Sequence, residues 1–278
     1  MGVVKFGLSM PYKYFDRQKN CLVYLNQKAS STYWDNLWLS GNLKEKITKV
    51  KYDFIVYPTT KKYLKRGSKI LEGGCGHGTY VYHLSKKGYK CIGVDFARKT
   101  ISKIKKLLPE LNVQFANVRK LPFKNNTFDG YWSMGIIEHS YNGFDTILCE
   151  MARVIKPQGY LFLTFPYMSP IRKLKAKLNL YNLSNFKKEP KNFYQFALNS
   201  YQVAKAVKKA GFHLIASKPF DGFRGLQSEI PILNFILDPI DNISQKNFLG
   251  MALRFTLARL VQPVTSHSIL LIFKKETS

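Results

Sequence analysis

Residues 70–78 read I-L-E-G-G-C-G-H-G, an apolar run that ends on one carboxylate, Glu72, and then passes through Gly74, Gly76 and Gly78. The next apolar run, I-G-V-D at 92–95, also ends on an acid, Asp95. A strand that turns through alternate glycines lets a ligand lie against its backbone, and an acid at the tip of the neighbouring strand suits the two hydroxyls of a ribose. The pair points to a nucleoside cofactor bound at a strand-turn-helix crossover. The competing reading is that the glycines serve tight packing alone.

Charge and spacing narrow the nucleoside. The dinucleotide fingerprint G-x-G-x-x-G places its third glycine where this chain has Thr79, with Gly78 one position early. A pyrophosphate would also be repelled by Glu72 where water is partly excluded. S-adenosylmethionine carries a sulfonium, an ammonium group and a ribose but no phosphate, so the acidic strand end favours it.

Strand and helix signals alternate from Lys69 onward, with strands at 69–72, 90–95, 112–116, 128–133 and 160–165 and helices near 77–87, 97–107 and 144–155. Gly88 and Pro109 stop the first two helices, and Pro157 with Gly159 closes the third. Such alternation marks a parallel sheet with helices on both faces. Ser200 to Ala210 reads as an amphipathic helix ended by Gly211, F-H-L-I-A-S as a strand, and S-I-L-L-I-F as the last strand.

The stretches V-Q-F-A-N-V (113–118), L-P-F-K-N-N-T-F-D-G-Y-W-S-M-G (121–135) and M-A-R-V-I-K-P-Q-G-Y-L-F-L-T-F-P (151–166) follow the glycine loop in order. Together with it, from about 68 to 166, they resemble a class I S-adenosylmethionine-dependent methyltransferase, of the broad group that includes quinone-biosynthesis and small-molecule enzymes. The resemblance extends weakly over 200–275 and is nearly silent on the substrate. It implies an α/β, Rossmann-like, doubly wound and mostly parallel seven-stranded sheet with a terminal antiparallel pair. A helical N-terminal cap over 1–67 precedes a methyltransferase core over 68–278, with insertions at 167–199 and 220–266.

The resemblance also assigns roles. Glu72, Gly74, Gly76 and Gly78 take the methionine half of the cofactor, Asp95 the ribose, Phe96 one adenine face and Asn117 the adenine amino group, with Val118 and Ser133 completing the cofactor set. Asn117 stands where relatives often have an acid, and its carbonyl oxygen can still accept. Glu138 and His139 follow the fourth strand, where acceptor and cofactor meet. His139 reads either as a general base, with an ordinary pKa near about 6.5, or as a residue that orients the loop. Some relatives bind a metal through an acid three positions before the Glu; Gly135 stands there, so no metal is expected. Cys75 reads as filler and His77 as a cap on the following helix, while His83, His213 and His267 read as structural.

Outside the core, residues 1–68 are rich in aromatics (Tyr33, Trp34, Trp38, Tyr52, Tyr57, Tyr63), read either as a lid that excludes water and walls the acceptor or as ordinary packing. The 167–199 insertion carries Arg172, Lys173, Lys175, Lys177, Lys187, Lys188 and Lys191 against Glu189, with Tyr181, Phe186, Phe193 and Tyr194 among them, a mixture that suits a phosphate and a base or an anionic bilayer. The 220–266 insertion holds I-P-I-L-N-F-I-L and F-L-G-M-A-L-R-F-T-L-A-R-L-V, the latter interrupted by Arg254 and Arg259 and short of the about 20 residues that span a bilayer. An interfacial helix, a wall for a greasy substrate, a dimer contact or plain core remain open for it.

The 278 residues suffice for one large core, and 45% hydrophobic with 22% charged residues is ordinary for a soluble globular chain. The balance of 44 Lys plus Arg against 17 Asp plus Glu, net +27, is not ordinary, and gives a field that attracts nucleic acid, phosphorylated intermediates or acidic headgroups. Biased codon usage with a solvated basic face is the bland alternative. Cys21, Cys75, Cys91 and Cys149 lack C-x-x-C spacing and read as reduced, and neither a secretory leader nor a myristoylation signal after Gly2 is legible, so the expected location is cytoplasmic, with peripheral contact to a membrane. The function expected is methyl transfer to a small-molecule or lipid- or glycan-linked acceptor. An RNA methyltransferase and a non-catalytic binding module are the alternatives.

Overall fold

The computed structural model describes residues 12–50, 53–184, 186–244 and 248–277. Tyr52 of the aromatic series and the first residues around Gly2 lie outside them. In chain order the elements are β1 (Tyr12–Asp16), β2 (Cys21–Leu25), α1 (Ser31–Leu39), α2 (Leu43–Thr48), α3 (Val56–Tyr63), β3 (Lys69–Gly73), α4 (Thr79–Lys86), β4 (Lys90–Asp95), α5 (Arg98–Leu107), β5 (Val113–Phe115) and β6 (Phe128–Met134). They continue with α6 (Asp145–Val154), β7 (Ile155–Pro166), α7 (Pro170–Lys177), β8 (Asn182–Leu183), β9 (Phe193–Ala197), α8 (Ser200–Lys209), β10 (Phe212–Phe220), α9 (Gly222–Glu229), α10 (Asn234–Ser244), α11 (Phe248–Thr265) and β11 (Ser268–Lys275).

The large sheet has seven strands in the order β10-β11-β7-β6-β3-β4-β5, and only β11 runs antiparallel to its neighbours. Successive side chains along a strand face opposite sides, and the core divides accordingly. Leu71, Tyr131, Leu161, Leu163, Leu271 and Phe273 join one buried cluster with Met151 of α6 and Val207 of α8. Their neighbours Ile70, Trp132, Phe162, Leu270 and Ile272 join another with Val81 of α4 and Ile104 of α5. Helices therefore cover both faces, and the chain order reverses between β3 and β6, the switch point where open α/β sheets bind ligands beyond the strand ends.

One local reading is corrected. Helix α6 ends at Val154, and β7 begins at once at Ile155, so Pro157 and Gly159 do not close a helix. Phe128 pairs with Ile155 and Gly130 with Tyr160, so residues 156–159 bulge out opposite Asp129. Proline has no ladder donor to lose in a bulge.

The N-terminal segment supplies α1, α2 and α3 as a cap, and also a hairpin that alternation in the core gave no reason to expect. Strands β1 and β2 pair antiparallel and combine with β8 and β9 of the 167–199 insertion in a second sheet, order β8-β1-β2-β9. A buried ion network joins this sheet to the 220–266 insertion. Glu229 of α9 accepts from Arg172 Nε at 2.9 Å, Lys13 Nζ at 3.1 Å, Lys175 Nζ at 3.3 Å and Tyr181 Oη at 2.6 Å. The cations around Glu229 hold its carboxyl down at about 2 against the desolvation that would raise it. Arg172 also donates to the carbonyls of Tyr167 and His267 and to His267 Nδ1, so His267 is a buried member of this network.

Candidate active site at the strand ends

The turn from β3 into α4 requires glycine: Gly74 and Gly76 have φ of 76° and 53°, in the left-handed region that side chains rarely occupy. The amides of Gly74 and Cys75 both donate to the Val94 carbonyl, at 2.8 and 2.9 Å, which pins the turn to the end of β4. Asp95 completes the brace. One of its carboxylate oxygens accepts from Gly76 N and the other from Ala97 N, both at 2.8 Å. Asp95 thus orders the glycine turn and the start of α5 together, and desolvation still lifts its pKa above the ordinary range.

Glu72 is buried one strand away. Its Oε2 meets no hydrogen-bond partner, and burial with the nearby Asp95 charge pushes its pKa up to about 8. Ser133, opposite Gly73 on β6, is buried with Oγ unpartnered, and so are Tyr131 Oη, which fills the place of a Gly73 side chain, and Glu138 Oε2. Unsatisfied buried polar atoms are uncommon in folded proteins, and among the described residues Glu72 and Ser133 bring two of them to the ends of adjacent strands. Phe96, beside Asp95, is 41% exposed, and Val118 is half-buried against the core. Asn117 is exposed and its Oδ1 already accepts from Arg119 N at 3.0 Å, leaving one lone pair for a further donor.

The glycines do not all present bare backbone. A Cβ on Gly74 would fall 2.0 Å from Ile136 Cδ1, and one on Gly78 would press on Leu111 and Val113, so these two positions also serve packing. At Gly76 the neighbour is the Trp38 indole, 3.0 Å from such a Cβ. Cys75 packs against Gly93, and burial with the nearby acids keeps its thiol well above the ordinary range, in keeping with its reading as filler.

Trp38 arrives on α1, which is held by a contact that no local pattern reveals. Helix α5 begins after Ala97, which has no capping side chain. Asp35 of α1 substitutes for it, accepting from Thr100 N and Thr100 Oγ1 at 2.8 Å each and from Lys99 N at 3.4 Å. A carboxylate on first-turn amides satisfies donors that the helix itself cannot. Thus anchored, α1 stacks Trp34 on Trp38 (5.5 Å, 15°) and sets Trp38 edge-on to His77 and Trp34 edge-on to His139, at 5.1 Å each. The other cap aromatics divide: Tyr33 meets Tyr194 of β9, whereas Tyr63 packs on Tyr160 and Phe162 of the sheet.

Glu138 and His139 sit in a single 3-10 turn after β6. Burial pushes Glu138 up to about 8 and His139 down to about 4. His139 Nδ1 lies 2.6 Å from the Tyr194 carbonyl, which can only accept, so the proton is on Nδ1 and the Nε2 lone pair is free. His77 does not cap α4. Its Nδ1 lies 2.6 Å from Thr79 Oγ1, whose own proton goes to the Lys46 carbonyl, and desolvation lowers its pKa to about 4. Capping requires a backbone amide partner, and the ring is turned toward Trp38 instead.

A strand end carrying a buried glutamate, a glycine turn braced by a second acid and an open aromatic face stand together at the crossover of a Rossmann-like sheet. Residues 71–163 match the methyltransferase domain family. A probable S-adenosylmethionine-dependent methyltransferase of Mycolicibacterium smegmatis is 24% identical over 53% of this chain and 53% of its own length, and a demethylmenaquinone methyltransferase of Bacillus cereus is 29% identical over 56% of this chain and 75% of its own. The chain thus spans about half the length of the first relative and three-quarters of the second. Among solved structures, a methyltransferase of Methanosarcina mazei superposes with a TM-score of 0.54 at 17% identity over 80% of this chain and 99% of the other. The [4+2]-cyclase SpnF does so at 0.54 and 16% identity over 91% and 99%. Residues 71–163 form a methyltransferase domain, and the S-adenosylmethionine-dependent relative implies S-adenosylmethionine as its cofactor.

The orphaned Glu72 oxygen, the Asp95-braced turn and the open Phe96 ring fit that cofactor. Sequence reading missed Asp35, the Tyr194 carbonyl and the Trp34 and Trp38 contacts to the two histidines. Only Tyr194 and the tryptophans carried any signal, as aromatics in the segments flanking the core.

Proposed function

We propose that the protein methylates a small-molecule or lipid- or glycan-linked acceptor held between the strand ends and the aromatic wall of Trp34, Tyr33 and Tyr194. The bound cofactor supplies an electrophilic methyl group. Glu72, in this reading, faces its positive end, Asp95 and the glycine turn hold its ribose, Phe96 covers the adenine, and Val118, Ser133 and Asn117 line the same side. Holding nucleophile and methyl carbon in line is worth up to roughly 7–11 kcal/mol, so positioning carries most of the rate.

The observation that carries the acceptor side is the free Nε2 of His139, set beside Trp34 at the end of β6. It can accept the proton an acceptor hydroxyl or amine gives up, while Glu138, held protonated at neutral pH, leaves no competing negative charge. A radiolabelled-methyl assay on cell extract divided into lipid, small-molecule and RNA pools tests the reading. Label in the lipid or small-molecule pool, lost in His139→Gln, is expected. Label confined to RNA would replace it with a nucleic-acid substrate.

A further inference from the structure

Helices α10 and α11 turn apolar side chains outward along one face each. On α10 and the turn before it, Ile232, Phe235, Ile236 and Ile243 recur at helical spacing, and Phe235 is 72% exposed. On α11 Leu253, Leu260 and Val264 are exposed, with Leu260 at 74%, and Phe255 is exposed beside Phe54. The inner faces are already used: Leu237 and Leu257 pack with Phe223 and Leu226 of α9. The outward residues are therefore surplus to the core, and α7, which packs beside α11, adds exposed Leu174 and Leu178. Exposed apolar side chains concentrated on neighbouring helices point to an interaction site.

Charge selects the partner. Among the described residues of α7, α10 and α11 no carboxylate is exposed. Asp241 is held by Arg254 Nε at 2.7 Å, and Asp238 accepts from Gln227 Nε2 at 3.0 Å. The cations point outward: Lys173 and Lys177 alternate with Leu174 and Leu178 on α7, and Arg259 precedes Leu260 on α11. A second copy of this chain would bring the same cations face to face with no acids to meet them. An anionic bilayer offers hydrocarbon to the apolar face and phosphates to its rim, each basic residue near such a surface adding about 1 kcal/mol. No described helix is long and apolar enough to cross a membrane, so the helices would lie along it.

We propose that α7, α10 and α11 form a docking surface for anionic lipid bilayers. The surface adjoins the cleft, because Thr265 at the end of α11 leads into β11, whose Ser268 pairs with Pro166 at the cleft end of β7. An acceptor dissolved in the bilayer would thus reach the site without crossing water. Docking itself is independent of the proposed acceptor chemistry.

The test is flotation of the full chain with vesicles of phosphatidylcholine alone or mixed with phosphatidylglycerol, at low and high salt, with S-adenosylmethionine binding measured by calorimetry on the same preparations. Binding to the anionic vesicles, at least tenfold weaker in high salt and in Phe235→Ser/Leu260→Ser, is expected, with cofactor affinity unchanged. Lys173→Glu/Lys177→Glu, which leaves the apolar residues in place, should lose the preference for phosphatidylglycerol. Equal flotation of wild type and both variants overturns the proposal, as does a concentration-dependent dimer that the Ser substitutions abolish while vesicle binding stays absent. Soluble phosphate that competes with vesicles at millimolar concentration would overturn a bilayer in favour of a free-phosphate site.

Discussion

Replacing Glu72 by Gln should make the cofactor-free protein more stable and less able to bind its cofactor. The carboxyl is raised to about 8 by burial and by Asp95, against 4.5 for the free side chain. Between those values the folded chain holds a proton that the unfolded chain has released, so stability is greatest at low pH and declines as pH rises toward 8. Glu138 has the same shift, to about 8. The window must avoid His77 and His139, both lowered to about 4, whose contribution runs the other way and is lost as pH falls below about 6.5. From pH 6.5 to 8 the two glutamates dominate, and the unfolded histidines, half-protonated at 6.5, offset only a small part of their effect. Linkage over this window then gives about 1–2 kcal/mol of lost stability per carboxyl, or about 2–3 kcal/mol for wild type after the histidine offset. Urea unfolding at the two pH values measures it, and Glu72→Gln should show about half the loss and no detectable cofactor heat. An unchanged pH slope in the variant would refute the assignment of a raised, buried acid at this strand end. Cofactor affinity of wild type should in turn rise with pH up to about 8, because a cationic ligand draws the proton off Glu72.

Asp35→Ala, which strips Thr100 and Lys99 of their acceptor and frees α1, should cost about 1–2 kcal/mol in urea unfolding and raise fluorescence quenching of Trp34 and Trp38 by iodide. His139→Gln should lower kcat by about 10²–10⁴ with little change in KM, and the wild-type rate should show no acid limb at 6.5, since the ring stays neutral down to about 4. Arg172→Met, which leaves Glu229 with fewer cations in a buried site, should cost about 3–5 kcal/mol, read as a lowered denaturation midpoint.

Much of the central architecture is legible along the chain because strands buried on both faces read as short apolar runs, and β3 and β4 stop at a glycine turn and an acid. Strands 90–95 and 128–133, for example, reappear as β4 and β6 with ends displaced by at most one residue. The bulge at 156–159 was not legible, because Pro157 and Gly159 punctuate a helix and a bulged strand in the same way, and only the pairing of Ile155 and Tyr160 with β6 distinguishes them. Nor was the second sheet, whose strands come from opposite ends of a stretch of more than 150 residues: β2 pairs with β9, Leu22 facing Ala197.

What the amino-acid order determined by itself was local chemistry: a backbone turn that only glycine can make, acids at two strand tips, and a helix and strand rhythm set by side-chain period. What only the tertiary structure decided was which distant groups share a volume. Asp35 caps a helix that starts 63 positions later, at Arg98, the Tyr194 carbonyl sets the tautomer of His139, and burial moves Glu72 and Glu138 to about 8. Protonation and donor direction depend on desolvation and on partners brought near by folding, and neither quantity is carried by a residue's neighbours in the chain.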